Sequence, residues 1–572
     1  MVRFAACGAL GCFHRGFRPG APRLLRRLLV PKQVQASEAR SEFSETPGVL
    51  AVTTPTKTTG RPFQVKPKLR RQWEQGKQKI LRRLTSLIGG TEPRKRGQPE
   101  FNGPRPTYEI AGRGHAIACG GIAAIHQLVR RVGLPQQIDR RLGILKRARP
   151  YQDSDHVLNI AYNLLCGGQV LDDIELRRND AAFLDTLGAR AIPDPTTAGD
   201  FCRRFDSEAI WRLMAIINEV RLGVWKKSSR PLTSETARID ADGSLVPTTG
   251  ECKQGMDLSH KGIWGYHPLL VSLANTGEPL FILNRSGNRP SFEGAPAALD
   301  QAVALCRRAG FADILLRGDT DFSMTAHLDH WDEAGVRFVF GHDANPPFVD
   351  RAEDVHSGEF TELYRKAGEL FASKRARPTR FKEQIVRERG YLNKRLVAED
   401  TAEFEHKPYR AKRSYRIVVL RKLIEEERGQ LSVGTNFRYF FYITNDRSLT
   451  QQEVVDESND RCNQENIHAQ LKGSRALHAP LNTLDANWAY MVIASLAWTL
   501  KAWFALLLPI APRQHEQHQA DQLRVLRMEF RTFLQRFILI PAQVALHARS
   551  LILRLLSWRP DLPLLFRFLD AW

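Results

Sequence analysis

A change of hydrophobic period at Thr236 narrows the folds open to this chain more than any other feature. Before it, Ile122–Val132, His156–Cys166 and Ala209–Leu222 carry apolar residues at helical spacing, separated by Gly and Pro. After it, short apolar runs alternate with turn signals. Strands are expected at Ala237–Asp242, Pro268–Leu273 and Leu280–Asn284, the last two joined as a hairpin across Asn275-Thr-Gly277. A helix fits Ala295–Ala309, followed by a strand at Asp313–Gly318, a helix at Ser323–Ala334 and a strand at Arg337–Gly341. The order is three strands, helix, strand, helix, strand, an α/β arrangement.

Charge narrows the partners. Lys and Arg total 84 against 62 Asp and Glu, a formal +22, in a chain whose 42% apolar content is ordinary for a globular protein. Such an excess must be solvated or matched by an acidic partner, most often a polyphosphate backbone, although an anionic membrane or RNA satisfies charge alone. Eight scattered cysteines form no C-x-x-C pair, which leaves a zinc ribbon or thioredoxin-like site without support and fits reduced thiols in a cytosolic compartment. Residues 1–37 lack Asp and Glu but carry six arginines, a composition like that of an organelle transit peptide; we read them as a basic tail. Trp488 to Pro509 is apolar, but Lys501 interrupts it, so a buried helix is expected and no membrane segment is assigned.

At 572 residues, two to four domains are expected. Residues 1–114 read as a basic, disordered arm with a short amphipathic helix around Leu69–Leu87. Residues 115–232 read as a helical, DNA-binding region. Within it, Pro195 and Thr196 or Thr197 start a helix carrying Arg203 and Arg204, which a helix-turn-helix reading puts on DNA and a plain bundle reading does not. Residues 233–343 form the first part of the core, its element order that of an RNase H-like mixed sheet. Residues 344–447 are a basic, mainly β insertion with strands at Arg416–Leu420 and Tyr439–Thr444. Residues 448–572 supply a long helix at about Gln451–Lys472, opened by the capping box Thr450-Gln-Gln-Glu453, and a helical C-terminal region.

Three acidic positions sit where a site could assemble. Asp240 lies on the first strand in Ile239-Asp-Ala-Asp-Gly243, and Asp319 ends the fourth in Leu316-Arg-Gly-Asp-Thr-Asp321. Each follows an apolar run and so emerges at the carboxyl end of a strand, where ligands gather. A single Asp after a strand is ordinarily a turn or cap; two on strands expected to be neighbours weigh towards a site. Asp242 and Asp321 lie two residues on and face the same side, so each is a rival, but Asp240 and Asp319 follow the apolar runs most directly. The third acid is Glu465. On a helix, Arg461, Glu465, His468 and Lys472 share one stripe, which suits either a solvated ion-pair ladder or a carboxylate flanked by cations for a phosphodiester.

The spacing Arg461-x3-Glu465-x6-Lys472 resembles the Y-x2-R-x3-E-x6-K signature of DDE transposases from bacterial insertion sequences. So do Ile239-Asp-Ala-Asp-Gly243, Gly262-Ile-Trp-Gly-Tyr-His-Pro-Leu-Leu270, Leu316-Arg-Gly-Asp-Thr-Asp-Phe-Ser323 and the β insertion before the Glu, over roughly residues 115 to 560. One departure is Ser458 at the signature tyrosine, which puts any role of that ring in doubt. The resemblance implies Mg²⁺, with Mn²⁺ as substitute, held by Asp240, Asp319 and Glu465, with Asp240 bridging two ions. It implies water attack at the element end followed by attack of the freed 3′-OH on target DNA. Arg461 and Lys472 would hold phosphates. Trp264 and Tyr266 are candidates for stacking on an extruded base, against a reading as core aromatics on a strand. His260, His267 and His468 receive no role. Further expectations are double-stranded DNA ends with inverted repeats, a homodimer pairing two ends, no membrane, no small-molecule cofactor and a bacterial, nucleoid-associated cytoplasmic location. The competing readings are an RNase H-like nuclease that does not join strands and a domesticated DNA-binding protein with an inactive site.

Overall fold

The computed structural model describes residues 67–88, 115–146, 150–250, 252–363, 393–428, 431–547 and 550–571. The expectations for residues 1–66, the basic tail among them, and for 89–114 lie outside the described residues.

The N-terminal half is helical, as its 3.6-residue periodicity requires. The basic amphipathic segment forms helix α1 (Pro67–Ile88), whose Trp73 meets Trp558 with ring centroids 6.2 Å apart. Helices α2 (Ile122–Arg131), α3 (Asp153–Leu165), α4 (Pro195–Arg203) and α5 (Ser207–Lys227) follow. Their starts obey capping chemistry: Asp194 accepts from the Thr197 N–H at 2.8 Å ahead of Pro195, and Asp206 accepts from that of Ala209 at 2.8 Å.

The alternating segment from Ala237 onward builds five strands of one sheet: β1 (Ala237–Gly243), β2 (Leu269–Leu273), β3 (Glu278–Leu283), β4 (Ile314–Gly318) and β5 (Arg337–His342). Their spatial order is β3-β2-β1-β4-β5; β1, β2 and β3 pair antiparallel, while β1, β4 and β5 pair parallel. Parallel neighbours need crossovers. Helix α6 (Ala295–Ala309), closed by Gly310 at φ 99°, leads into β4, and the shorter α7 (Leu328–Glu333) leads into β5. Helix α7 starts later than the pattern predicts, because Asp319 first caps a 3-10 turn at Thr320–Phe322.

The insertion continues this same sheet. Strands β6 (Thr361–Glu362), β7 (Asn393–His406), β8 (Tyr415–Arg428) and β9 (Leu431–Thr444) give nine strands in the order β6-β7-β8-β9-β5-β4-β1-β2-β3. Only Phe441–Thr444 of β9 pair with β5, so the rest of the three long strands runs past the edge of β5 and leaves Phe437 half-exposed. Of the basic residues expected to mark this region, Lys374, Arg375, Arg377 and Arg380 lie outside the described residues. Arg413 pairs with Asp332 at 2.5 Å.

The long helix expected at Gln451–Lys472 is two helices meeting at Arg461, α8 (Gln451–Asp460) and α9 (Cys462–Gly473). Thr450 and Glu453 form the expected capping box, the Thr450 N–H donating to Glu453 at 2.8 Å. Helix α10 (Leu484–Leu506) is long and apolar enough to cross a membrane and is buried along its length against α3, α4, α5 and β3. Glu278 of β3 ties these layers together: it takes Arg221 of α5 at 2.9 Å and the indole N–H groups of Trp225 and Trp503, each at 2.8 Å. The Lys501 ammonium is buried against the Trp498 ring, donates to the Leu526 carbonyl at 2.8 Å, and is lowered by burial to about 7. The C-terminal region is not wholly helical, contrary to expectation. Ala542–His547 and Ser550–Leu555 form an antiparallel pair that His115–Ile117 joins, and the second strand alternates exposed and half-buried residues.

Candidate active site

The parallel register between β1 and β4 decides which acids meet. Asp240 lies opposite Arg317, so the residues two further along each strand, Asp242 and Asp319, come level at the carboxyl ends. The structure thus sets the rival Asp242 at this edge and the chosen Asp240 behind it, inside the sheet. The Asp240 carboxylate is 1% exposed and wholly engaged, with Arg317 donating from Nε and Nη2 at 2.7 and 3.0 Å. A carboxylate closed into a bidentate pair inside the sheet has both oxygens engaged and lies back from the edge that a ligand would reach. Asp242 stands one step outward, at the edge.

Helix α9 brings the third acid. Gln464, fully buried, donates its amide to the backbone carbonyls of Asp240 and Leu270 at 3.1 and 3.0 Å, pinning the first turn of α9 across β1 and β2. The stripe read from the sequence then faces Asp242. Arg461 Nη1 lies 3.7 Å and His468 Nε2 3.6 Å from Asp242 Oδ2, beyond hydrogen-bond length. Arg461 Nη1 and both His468 ring nitrogens are buried without a hydrogen-bond partner. Glu465 follows Gln464 and is exposed, close enough to raise Asp242 electrostatically.

The charges at this edge do not balance. Burial pushes the Asp242 carboxyl up to about 7; Asp319 and Glu465 add to the rise and Arg461 opposes it. Burial also raises Asp319, with Asp321 and Asp343 adding to the effect and Arg461 again opposing. Burial lowers His468 to about 3, helped by Lys472 and Arg461, so its ring is neutral. Lys472 is half-buried and lowered chiefly by burial. Asp319 accepts from the Asp321 N–H at 3.1 Å, and its turn nests against Gly341 of β5. A Cβ at Gly341 would stand 2.8 Å from the Thr320 nitrogen, so only glycine admits this approach.

This donor set suits a hard divalent cation: oxygen ligands with surplus negative charge, at least one of them protonated near neutral pH for want of a counter-charge. Among the described residues, no three His, Cys, Asp or Glu side chains are close enough together to hold a metal ion. Asp242, Asp319 and Glu465 therefore share an electrostatic neighbourhood without forming a closed ligand cage.

The remaining candidates divide. Tyr266 is fully buried and donates to the Gln254 carbonyl at 2.7 Å, which removes it from any surface that could meet DNA. Trp264, two residues earlier on the same short strand, is 53% exposed beside the exposed Ile263 and Leu258. Arg203 closes α4, where it is held by Asp200 at 2.6 Å and Asn482 at 3.1 Å, while Arg204 is exposed. Ser458 is half-buried on α8.

Sequence reasoning missed the partners behind the acids. Glu457 of α8 accepts from Arg317 Nη1 at 2.9 Å and from Arg238 Nε at 2.9 and 3.0 Å. Burial works against the Arg317 charge, but Asp240 and Glu457 outweigh it and hold the guanidinium above its ordinary value. Burial likewise opposes the Glu457 charge, and the two arginines bring its carboxyl below the usual range. One signal was available: Arg317 sits in an apolar strand, and a buried guanidinium calls for acceptors close by, a carboxylate on the adjoining strand being the strongest. Asp240 was the acid at hand for it.

A family model described as Transposase DDE domain group 1 matches residues 105–571. No curated protein matches the chain. Among solved structures, a piggyBac transposase synaptic complex with hairpin DNA, determined by cryo-EM, aligns at 10% identity over 74% of this chain and 85% of that one, with a TM-score of 0.29.

Proposed function

Because the chain belongs to the Transposase DDE domain group 1 family, we propose that it is a metal-dependent DNA transposase of an insertion sequence, cleaving phosphodiester bonds at element ends and joining the freed 3′ ends to target DNA. The observation that carries this is the register that sets Asp242 level with Asp319, under a helix presenting Glu465 and Arg461. The strand order β3-β2-β1-β4-β5, antiparallel then parallel, supports an RNase H-like core.

In this reading Asp242, Asp319 and Glu465 hold the cations, and hard carboxylate oxygens favour Mg²⁺ with Mn²⁺ as substitute. When bound, such ions neutralise charge at the phosphate and acidify the attacking water or hydroxyl. Asp242, protonated up to about pH 7, gives up its proton as positive charge arrives. Arg461, whose Nη1 has no hydrogen-bond partner, and Lys472 would hold nonbridging phosphate oxygens. The exposed indole of Trp264 stacks on a base unpaired near the cut. The helical region 115–232, with Arg203 and Arg204, and the insertion 344–447 meet the DNA ends. Two copies pair two ends, and the work is done on bacterial DNA in the cytoplasm.

The test uses the full chain with duplexes carrying the inverted repeats that flank its coding region. Expected are Mg²⁺-dependent nicks at the repeat ends and strand-transfer products. Both should vanish in Asp242→Ala, Asp319→Ala and Glu465→Ala while the duplex is still bound. Hydrolysis without transfer would leave a nuclease, and binding without any metal-dependent product would leave a DNA-binding protein.

A further inference from the structure

We infer that Asp240 and Arg317, buried, together with the partly buried Glu457 and Arg238, form an ionic clamp that positions the three candidate ligands, setting how far apart Asp242, Asp319 and Glu465 stand. The inference rests on the transposase reading of that site and adds four positioning residues to it.

The clamp lies one step inward of the site along β1, β4 and the α8–α9 pair. Asp240 is two residues before Asp242 on β1, Arg317 two before Asp319 on β4, and Glu457 one helical turn before Arg461 and two before Glu465. Arg317 is the hub. It spends two nitrogens on Asp240 and a third on Glu457, reaching both the carboxylate at 2.9 Å and the backbone carbonyl at 3.2 Å. That carbonyl belongs to the last turn of α8, immediately before the break at Arg461, so one side chain fixes both the strand pair and the start of the helix carrying Glu465.

Apolar packing cannot set this register by itself. Ala237, Ile239 and Ala241 of β1 are buried, as are Ile314, Leu315 and Leu316 of β4. A slip of two residues keeps every side chain on its face while displacing Asp242 from Asp319 by roughly 6.6 Å. The ion pair forbids it. After such a slip Arg317 would face Asp242, and the buried Asp240 would have no counter-charge. Buried ion pairs add little stability over apolar substitutes and are best explained where they select one arrangement.

The experiment measures Mn²⁺ binding by electron paramagnetic resonance titration of the full chain without DNA, for wild type, Asp240→Asn, Glu457→Gln and Glu457→Asp. Thermal melting and duplex affinity are measured on each. The expected result is folded Asp240→Asn and Glu457→Gln proteins that bind the terminal-repeat duplex as wild type does and Mn²⁺ about tenfold more weakly, with Glu457→Asp recovering most of the loss. Mn²⁺ binding within about twofold of wild type in the neutral variants overturns the clamp as a positioning device. Failure of both neutral variants to fold overturns it too, making the network a stability element alone. A wild-type chain that neither binds Mn²⁺ nor cleaves overturns the transposase reading and this inference with it, a result distinct from either of the others.

Discussion

Two charged clusters lie one step apart along β1, β4 and the α8–α9 pair, and they differ in balance. The inner one sets Asp240 and Glu457 against Arg238 and Arg317, with every carboxylate engaged at hydrogen-bond length. The outer one sets Asp242, Asp319 and Glu465 against Arg461, which comes no nearer than 3.7 Å to Asp242, beside a neutral His468. Burial penalises charge in both. Inside, pairing brings Glu457 below its usual range, although burial still raises Asp240 against the pull of Arg317; outside, no carboxylate has a cation at hydrogen-bond length, and Asp242 rises to about 7. A cluster left short of positive charge at the carboxyl edge of a sheet is suited to acquiring that charge from a ligand, whereas a matched cluster is suited to holding shape.

The comparison breaks most sharply at the two β1 aspartates. Asp242→Ala is expected to lower the rate of metal-dependent nicking on the order of 10³-fold or more in a gel assay, without weakening duplex binding. Equal loss of duplex binding would mean that the outer cluster is not the reacting centre. Next in size is Arg317→Met, which strands Asp240 and Glu457 without their shared cation. About 3 kcal/mol or more of stability should go, read by chemical denaturation, and an unchanged midpoint would contradict the matched character of the inner cluster. Arg461→Ala is expected to slow nicking on the order of 10²-fold and to move the acid limb of the pH–rate profile to higher pH, because the cation that opposes the rise of Asp242 is gone.

The smallest effect is on the metal-free protein. The folded chain keeps the Asp242 proton up to about pH 7, while the unfolded chain loses it near an ordinary aspartate's value of about 4. Stability from this group is therefore complete below about pH 4 and is lost as pH rises through about 7. Asp242→Asn, neutral throughout, should melt above wild type by a few degrees at about pH 8, with the gap narrowing as pH falls and closing below about pH 4. A gap that does not change with pH would place the charge elsewhere.

Much of the fold was legible because it is written in periods and caps. The strand-helix order from Ala237 to His342, the Asp194-Pro195 helix start, the Thr450–Glu453 box and the buried helix at Leu484–Leu506 follow from spacing alone. The stripe Arg461, Glu465, His468 and Lys472 was legible for the same reason, and it does face Asp242. What spacing could not separate were residues of equal local character. Asp240 and Asp242 sit on one face of one strand, and Trp264 and Tyr266 on one face of another, yet in each pair one is buried and the other is not. The C-terminal strand pair at Ala542–Leu555 escaped because an apolar, Arg-rich run reads equally as a helix.

By itself the sequence determined most of the elements from Ile122 to Leu506, their order and the residues able to carry the chemistry, because local periodicity and capping act over a few neighbours and need no partner. Tertiary structure alone decided the register of β1 against β4, the joining of the insertion to the core sheet and the break of the helix at Arg461. These depend on contacts between residues far apart in the chain. There, the cost of burying Arg317 is met by Asp240, and only Asp242 remains to face the edge.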